Sequence, residues 1–140
     1  MQPKGKLKVG VIGLGHQSFD DHIPAIFASA DVELVAVADV DKEKLKSFSR
    51  DHKNIHTYQQ FNNLFESEKL DFIIIAVPHH LHQDIVKEAI KQKVHILKEK
   101  PFAVSLAQAK EIKELAEQND VKIMLTLLRR FNPIYSTFFQ

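Results

Sequence analysis

All four glycines of the chain lie within its first fifteen residues, and two of them, Gly13 and Gly15, close the apolar run Leu7-Lys8-Val9-Gly10-Val11-Ile12. That placement calls for a strand ending in a tight turn. Glycine is needed where the backbone takes positive φ, and where another group must reach the main chain without a Cβ between. A helix starting after such a turn aims unpaired N–H groups and its positive dipole end at the same spot, which suits a diphosphate. The turn is Gly13-Leu14-Gly15-His16-Gln17-Ser18, a G-x-G-x-x-S where the usual dinucleotide fingerprint closes on Gly or Ala. Serine is small enough to keep helix and strand close. A glycine turn used only for packing is the competing explanation, so the rest of the chain has to discriminate.

Strand-like and helix-like segments alternate to the end. Strands are expected at Lys6–Ile12, Val32–Ala38, Ile55–Thr57, Phe72–Val77, Val94–Leu97 and Val121–Leu127. The second and fourth are continuous Val/Ile/Ala-rich runs, as parallel strands covered on both faces require. Between them, Asp41 suits the N-cap of a helix burying Leu45 and Phe48, and Phe61, Leu64 and Phe65 make a short amphipathic turn. Leu81, Ile85, Ala89 and Ile90 form a stripe at helical spacing. Ser105-Leu106-Ala107-Gln108 has capping-box form ahead of a face of Leu106, Ala109, Ile112, Leu115 and Ala116. Pro24 falls inside the first helix, which is therefore short or kinked there. The pattern predicts an α/β fold: a doubly wound parallel sheet (Rossmann) in a three-layer αβα arrangement.

Asp39 ends the second strand, about two dozen residues after Gly15. A carboxylate there can accept from both adenosine-ribose hydroxyls and repels a 2′-phosphate, which favours NAD over NADP. Lys42 and Lys44 nearby keep NADP open. The alternative is a helix cap, a role that fits Asp41 better and leaves Asp39 free.

Val77-Pro78-His79-His80-Leu81-His82 follows the fourth strand at the carboxyl edge of the sheet, where ligands of open α/β folds bind. Three histidines in four residues suggest zinc, but no carboxylate or cysteine completes a site locally and the three cannot all point one way from a helix start. Solvated loop histidines and a wall of the nicotinamide and substrate pocket remain as readings; no metal ligand is assigned. The fifth strand ends in Lys98-Glu99-Lys100-Pro101. Most such charge runs are solvated strand ends. Lys100 nevertheless lies at the same edge, and proline fixes the backbone after it, with a cis bond available. A lysine beside a cationic nicotinamide ring holds its proton less tightly and becomes a credible acceptor for a hydroxyl proton.

Composition excludes more than it assigns. A net charge of +1 without a basic block leaves no footprint for nucleic acid. The run Phe72–Val77 is far too short to span a bilayer, and the basic, apolar opening is followed by His16-Gln17-Ser18 rather than a small-residue cleavage site. With no cysteine, the expected setting is the cytoplasm.

Taken together, these blocks resemble the Gfo/Idh/MocA oxidoreductases, the family of glucose–fructose oxidoreductase and inositol dehydrogenase. The resemblance rests on Gly13-x-Gly15 with Ile23-Pro24-Ala25, Ala76-Val77-Pro78 with Leu81-His82, Glu99-Lys100-Pro101, and Arg129-Arg130-Phe131-Asn132-Pro133. The last, with Tyr135, is most similar to the MviM-like branch. The resemblance implies that Lys100 is catalytic and that the cofactor is held by Gly13, Gly15, His16, Gln17, Ser18, Asp39, Val77, Pro78, His82 and Glu99, with Glu99 orienting the loop. It also implies a sugar or polyol substrate and a homo-oligomeric parent. His79 departs from the asparagine many members carry. Family members continue into a second α/β domain, so residues 1–126 are expected to be the dinucleotide domain and 127–140 a crossover toward a domain this chain lacks, leaving it inactive alone. A nicotinamide-sensing protein without catalysis is the alternative, and the intact Lys100 speaks against it.

Overall fold

The computed structural model describes residues 5–127 together with 132, 133 and 137. Arg129-Arg130-Phe131, Tyr135 and most of the expected crossover lie outside the described residues. Within them, β1 (Leu7–Ile12), β2 (Val32–Ala38), β3 (His56–Tyr58), β4 (Phe72–Ile75), β5 (His95–Lys98) and β6 (Ile123–Leu125) form one parallel sheet in the order β3-β2-β1-β4-β5-β6. The strand order reverses between β1 and β4, which places a topological switch point beside the glycine turn.

Five helices flank the sheet: α1 (Ile23–Ala28), α2 (Lys42–Asp51), α3 (Phe61–Ser67), α4 (His82–Lys91) and α5 (Leu106–Gln118). Val9, Val11, Leu34, Val37 and Ile74 meet Ile23 and Ile26 of α1 and Leu45 and Phe48 of α2. Ile12, Ala36, Ala38, Ile73, Ile75 and Ile96 meet α3, α4 and α5 through Leu64, Val86, Ala89 and Ile112. This is the doubly wound αβα architecture read from the sequence. Leu34 and Val37 share a layer although three residues apart, because the β1–β2 register jumps from Val9↔Leu34 to Gly10↔Ala36 and the extra residue resets the alternation.

Local chemistry explains the element ends. Asp41 caps α2, its carboxylate accepting from the amides of Glu43 and Lys44. Ser105 Oγ accepts from Gln108 N at 3.2 Å, while Gln108 Oε1 takes the amide of Val104 rather than that of Ser105, a shifted capping box. The strands differ from expectation at their carboxyl ends. β4 stops at Ile75, although the Ala76 amide still bonds Ile12 O at 2.9 Å, because the chain must turn toward Pro78, which has no amide to give. β5 runs one residue further, through Lys98, and β6 is shorter than expected at both ends. Leu81 and Leu106, expected on buried stripes, are exposed, since each stands where its helix begins rather than over the sheet. Pro24 is the second residue of α1, which follows without a break on a widened π-helical segment (Ser18–His22).

Candidate functional site

The two glycines of the turn are required for different reasons. Gly13 has φ +98°, and a Cβ on it would stand 2.3 Å from the carbonyl oxygen of Ala76, so both handedness and the approach of β4 demand glycine. A Cβ on Gly15 would meet nothing within 4 Å. Packing therefore gives no reason for Gly15, and the space beside the helix start is open to a ligand. The helical segment begins at His16, and the amides of Ser18 and Phe19 both return to Gly15 O at 3.1 Å. Ser18 is fully buried and its hydroxyl donates to Gly13 O, which locks the turn. His16 is exposed, and the Gln17 side chain is held by Asp21.

Contrary to the expectation from the sequence, Asp39 is not free. Its Oδ2 accepts the Leu14 amide at 2.7 Å and its Oδ1 accepts the Asp41 amide at 2.8 Å. The carboxylate is thus pinned between the glycine turn and the start of α2, with Lys44 Nζ 4.0 Å away. A cleft of about 440 Å³ opens here, and Gly13, Gly15, Asp39, Val77 and Pro78 all line it, with Val40, Phe61 and Leu81 as apolar walls. The open Gly15 and the pinned Asp39 share this cleft, and the helical segment starts one residue beyond Gly15; that arrangement fits a dinucleotide's pyrophosphate and ribose.

Of the residues expected at the site, His16, Gln17, Ser18, His82, Glu99 and Lys100 do not line this cleft, and Glu99 and Lys100 follow directly on β5. His82 is buried, its Nε2 bonds Val77 O at 2.7 Å, and its Nδ1 has no partner. Because a carbonyl can only accept, Nε2 carries the proton and Nδ1 keeps a lone pair. Burial, reinforced by the charge of Lys98, pushes the His82 pKa down, so the ring is neutral. His79 and His80 are exposed; the His79 and His82 rings meet edge-on at 5.9 Å. No three His, Asp or Glu side chains among the described residues are placed to hold a metal ion.

Two residues at the β5 end escaped the sequence. His22, at the close of the π-helical segment, bonds Glu99 Oε1 through Nε2 at 2.9 Å, both side chains being largely buried. Lys98 is 1% exposed and donates to Phe102 O at 2.8 Å. Lys100 is exposed, between these two ties, and precedes a cis proline bond. The helix that starts at the glycine turn is therefore joined directly to the loop carrying Lys100. Signals existed for both: His22 lies four residues before buried Ile26, and Lys98 shares its strand parity with buried Ile96.

An oxidoreductase family with an NAD-binding Rossmann fold matches the chain over residues 7–127. The chain is similar to trans-1,2-dihydrobenzene-1,2-diol dehydrogenase of Xenopus tropicalis, 31% identical over 130 residues, covering 91% of this chain and 39% of that protein. An uncharacterized oxidoreductase of Escherichia coli K12, YdgJ, is 32% identical over 111 residues, covering 79% of this chain and 31% of its own. Among solved structures, an Agrobacterium radiobacter oxidoreductase in complex with NAD+, L-tartaric acid and magnesium superposes with a TM-score of 0.83 at 28% identity, covering 89% of this chain and 36% of that one. The chain thus spans between about three tenths and two fifths of these proteins' lengths. No helix among the described residues is long and apolar enough to cross a membrane.

Proposed function

The chain belongs to the Gfo/Idh/MocA family of oxidoreductases, as its NAD-binding Rossmann domain, and from that premise we propose that it is the cofactor-holding part of a dehydrogenase. The reaction is reversible hydride transfer between a secondary alcohol of the sugar or polyol class and NAD. When bound, the nicotinamide supplies a ring carbon that accepts or returns the hydride. The open face of Gly15 and the helix start at His16 and Gln17 hold the pyrophosphate, with Ser18 fixing the turn from beneath. Asp39 presents its remaining lone pairs to the adenosine ribose; both oxygens being tied to backbone amides, it cannot swing away from a 2′-phosphate, which sets the preference for NAD. Val77, Pro78 and the Val77 carbonyl held by neutral His82 wall the other end. Lys100 Nζ takes the hydroxyl proton as the alcohol is oxidised and returns it in reduction, and Glu99 sets the loop.

The single observation that carries this reading is the 2.9 Å contact of His22 with Glu99, which puts the residue next to Lys100 on the helix rooted in the glycine turn. The named diol dehydrogenase and the NAD+-bound relative support the same chemistry. Residues 1–126 form the dinucleotide domain and 127–140 lead toward further parts of a longer, homo-oligomeric parent. Calorimetric titration tests the reading. NADH is expected to bind one-to-one and more tightly than NADPH, with no substantial polyol turnover by the chain alone. Absence of binding by either nucleotide, or a preference for NADPH, contradicts the cofactor assignment; brisk turnover contradicts the dependence on further chain.

A further inference from the structure

Lys98 is the largest of the fully buried side chains among the described residues, and no Asp or Glu there lies within ion-pair distance of it. A buried cation without a counter-ion opposes folding, and an apolar side chain of similar length in its place is commonly neutral or stabilising. Packing alone does not explain a lysine here. What its ammonium does is specific: Nζ donates to Phe102 O at 2.8 Å and lies 5.8 Å from the centroid of the Phe102 ring. The near end of that loop is fixed by the Glu99 amide on Ile75 O at 2.9 Å, and its flank by Glu99 on His22. Lys100 sits between the two anchored ends. The titratable groups around Lys98 are His82 at the start of α4, which feels its charge and is itself neutral, and Glu99, which is engaged by His22.

We propose that Lys98 is a positioning residue: by gripping the Phe102 carbonyl from inside the sheet it closes the Glu99–Phe102 loop and fixes Lys100 at the nicotinamide end, at the expense of overall stability. The proposal rests on the assignment of Lys100 made above. It yields an unusual pair of signs, because removing the charge leaves global stability equal or higher while loosening one loop. A residue with a merely structural role would lower both together.

The chain contains no cysteine, so Lys98→Cys offers a unique thiol that aminoethylation, carried out unfolded before refolding, converts to a lysine-like amine. Three readouts are taken on the unsubstituted chain, on Lys98→Met, and on Lys98→Cys before and after aminoethylation: the thermal midpoint, amide exchange, and acylation of Lys100 by mass spectrometry with and without NAD+. Lys98→Met is expected to melt no lower than the unsubstituted chain. Exchange at Glu99 and Val104, whose amides bond Ile75 O and Gln108 Oε1, should speed up about tenfold or more, while Val11 and Ile74 stay unchanged. NAD+ should shield Lys100 in the unsubstituted chain and much less in Lys98→Met, with cofactor affinity kept within about threefold, a factor small against the tenfold per 1.4 kcal/mol scale. Aminoethylation should restore slow loop exchange and shielding. The proposal is overturned if Lys98→Met fails to fold, if loop and core exchange accelerate together, if loop exchange is unchanged, or if aminoethylation restores nothing. If NAD+ gives no shielding even in the unsubstituted chain, the dehydrogenase reading of Lys100 fails, and the exchange data still decide whether Lys98 holds the loop.

Discussion

At the scale of single residues, the glycine turn separates folding from binding. Gly15→Ala is expected to change stability by less than about 0.5 kcal/mol, since the added methyl meets nothing, yet to weaken NADH binding at least about tenfold by filling the phosphate approach. Gly13→Ala should do the reverse, costing about 2 kcal/mol or more through positive φ and the collision with Ala76 O. Chemical denaturation and calorimetry on the two variants check this; equal effects on both properties would remove the distinction. Sequence reasoning found both glycines without telling them apart, because the colliding carbonyl belongs to the residue just past β4, some sixty residues on. It missed His22 for the same kind of reason: its partner Glu99 is distant in the chain. Lys98 was hidden differently. In Lys98-Glu99-Lys100 it has the look of a solvated strand end, and only the one-residue extension of β5 carries it into the core.

At the scale of elements, the absence of glycine beyond Gly15 has a visible consequence. α4 and α5 both end in Schellman motifs whose left-handed residues are Lys93 (φ +57°) and Asp120 (φ +56°), with Val94 N on Ala89 O and Val121 N on Ala116 O. Lys93→Gly and Asp120→Gly are each expected to raise stability by about 0.5–1 kcal/mol, relief of the Cβ penalty outweighing the entropy lost to glycine. A lower denaturation midpoint for either would contradict this. The start of α4 carries a pH dependence through His82. Its pKa is pushed below the ordinary value by burial in the folded chain, so between that lowered value and about 6.5 the unfolded chain binds a proton the folded chain refuses. Stability should fall as pH drops from 7 toward 5 and gain nothing from His82 above about 7. His82→Leu should show a shallower loss over the same range, read as the difference between two urea series. Parallel slopes would show that His82 is not the group.

At the scale of the molecule, the architecture was legible because binary patterning fixes it. Continuous apolar runs at β2 and β4, amphipathic stripes between strands and one glycine turn admit little besides a doubly wound parallel sheet. The site was legible in composition but not in wiring. The sequence brought Gly13, Gly15, Asp39 and Pro78 to one edge, whereas the pinning of Asp39 and the His22–Glu99 tie depend on contacts between distant elements. That wiring makes one claim about the whole: the glycine turn and the Lys100 loop hold opposite ends of the same molecule. Backbone amide shifts followed during an NAD+ titration test it most directly. Residues 15–18 and residues 99, 100 and 102 are expected to move together and saturate with one dissociation constant. Movement at the turn alone, or two separate constants for the two groups, would contradict it.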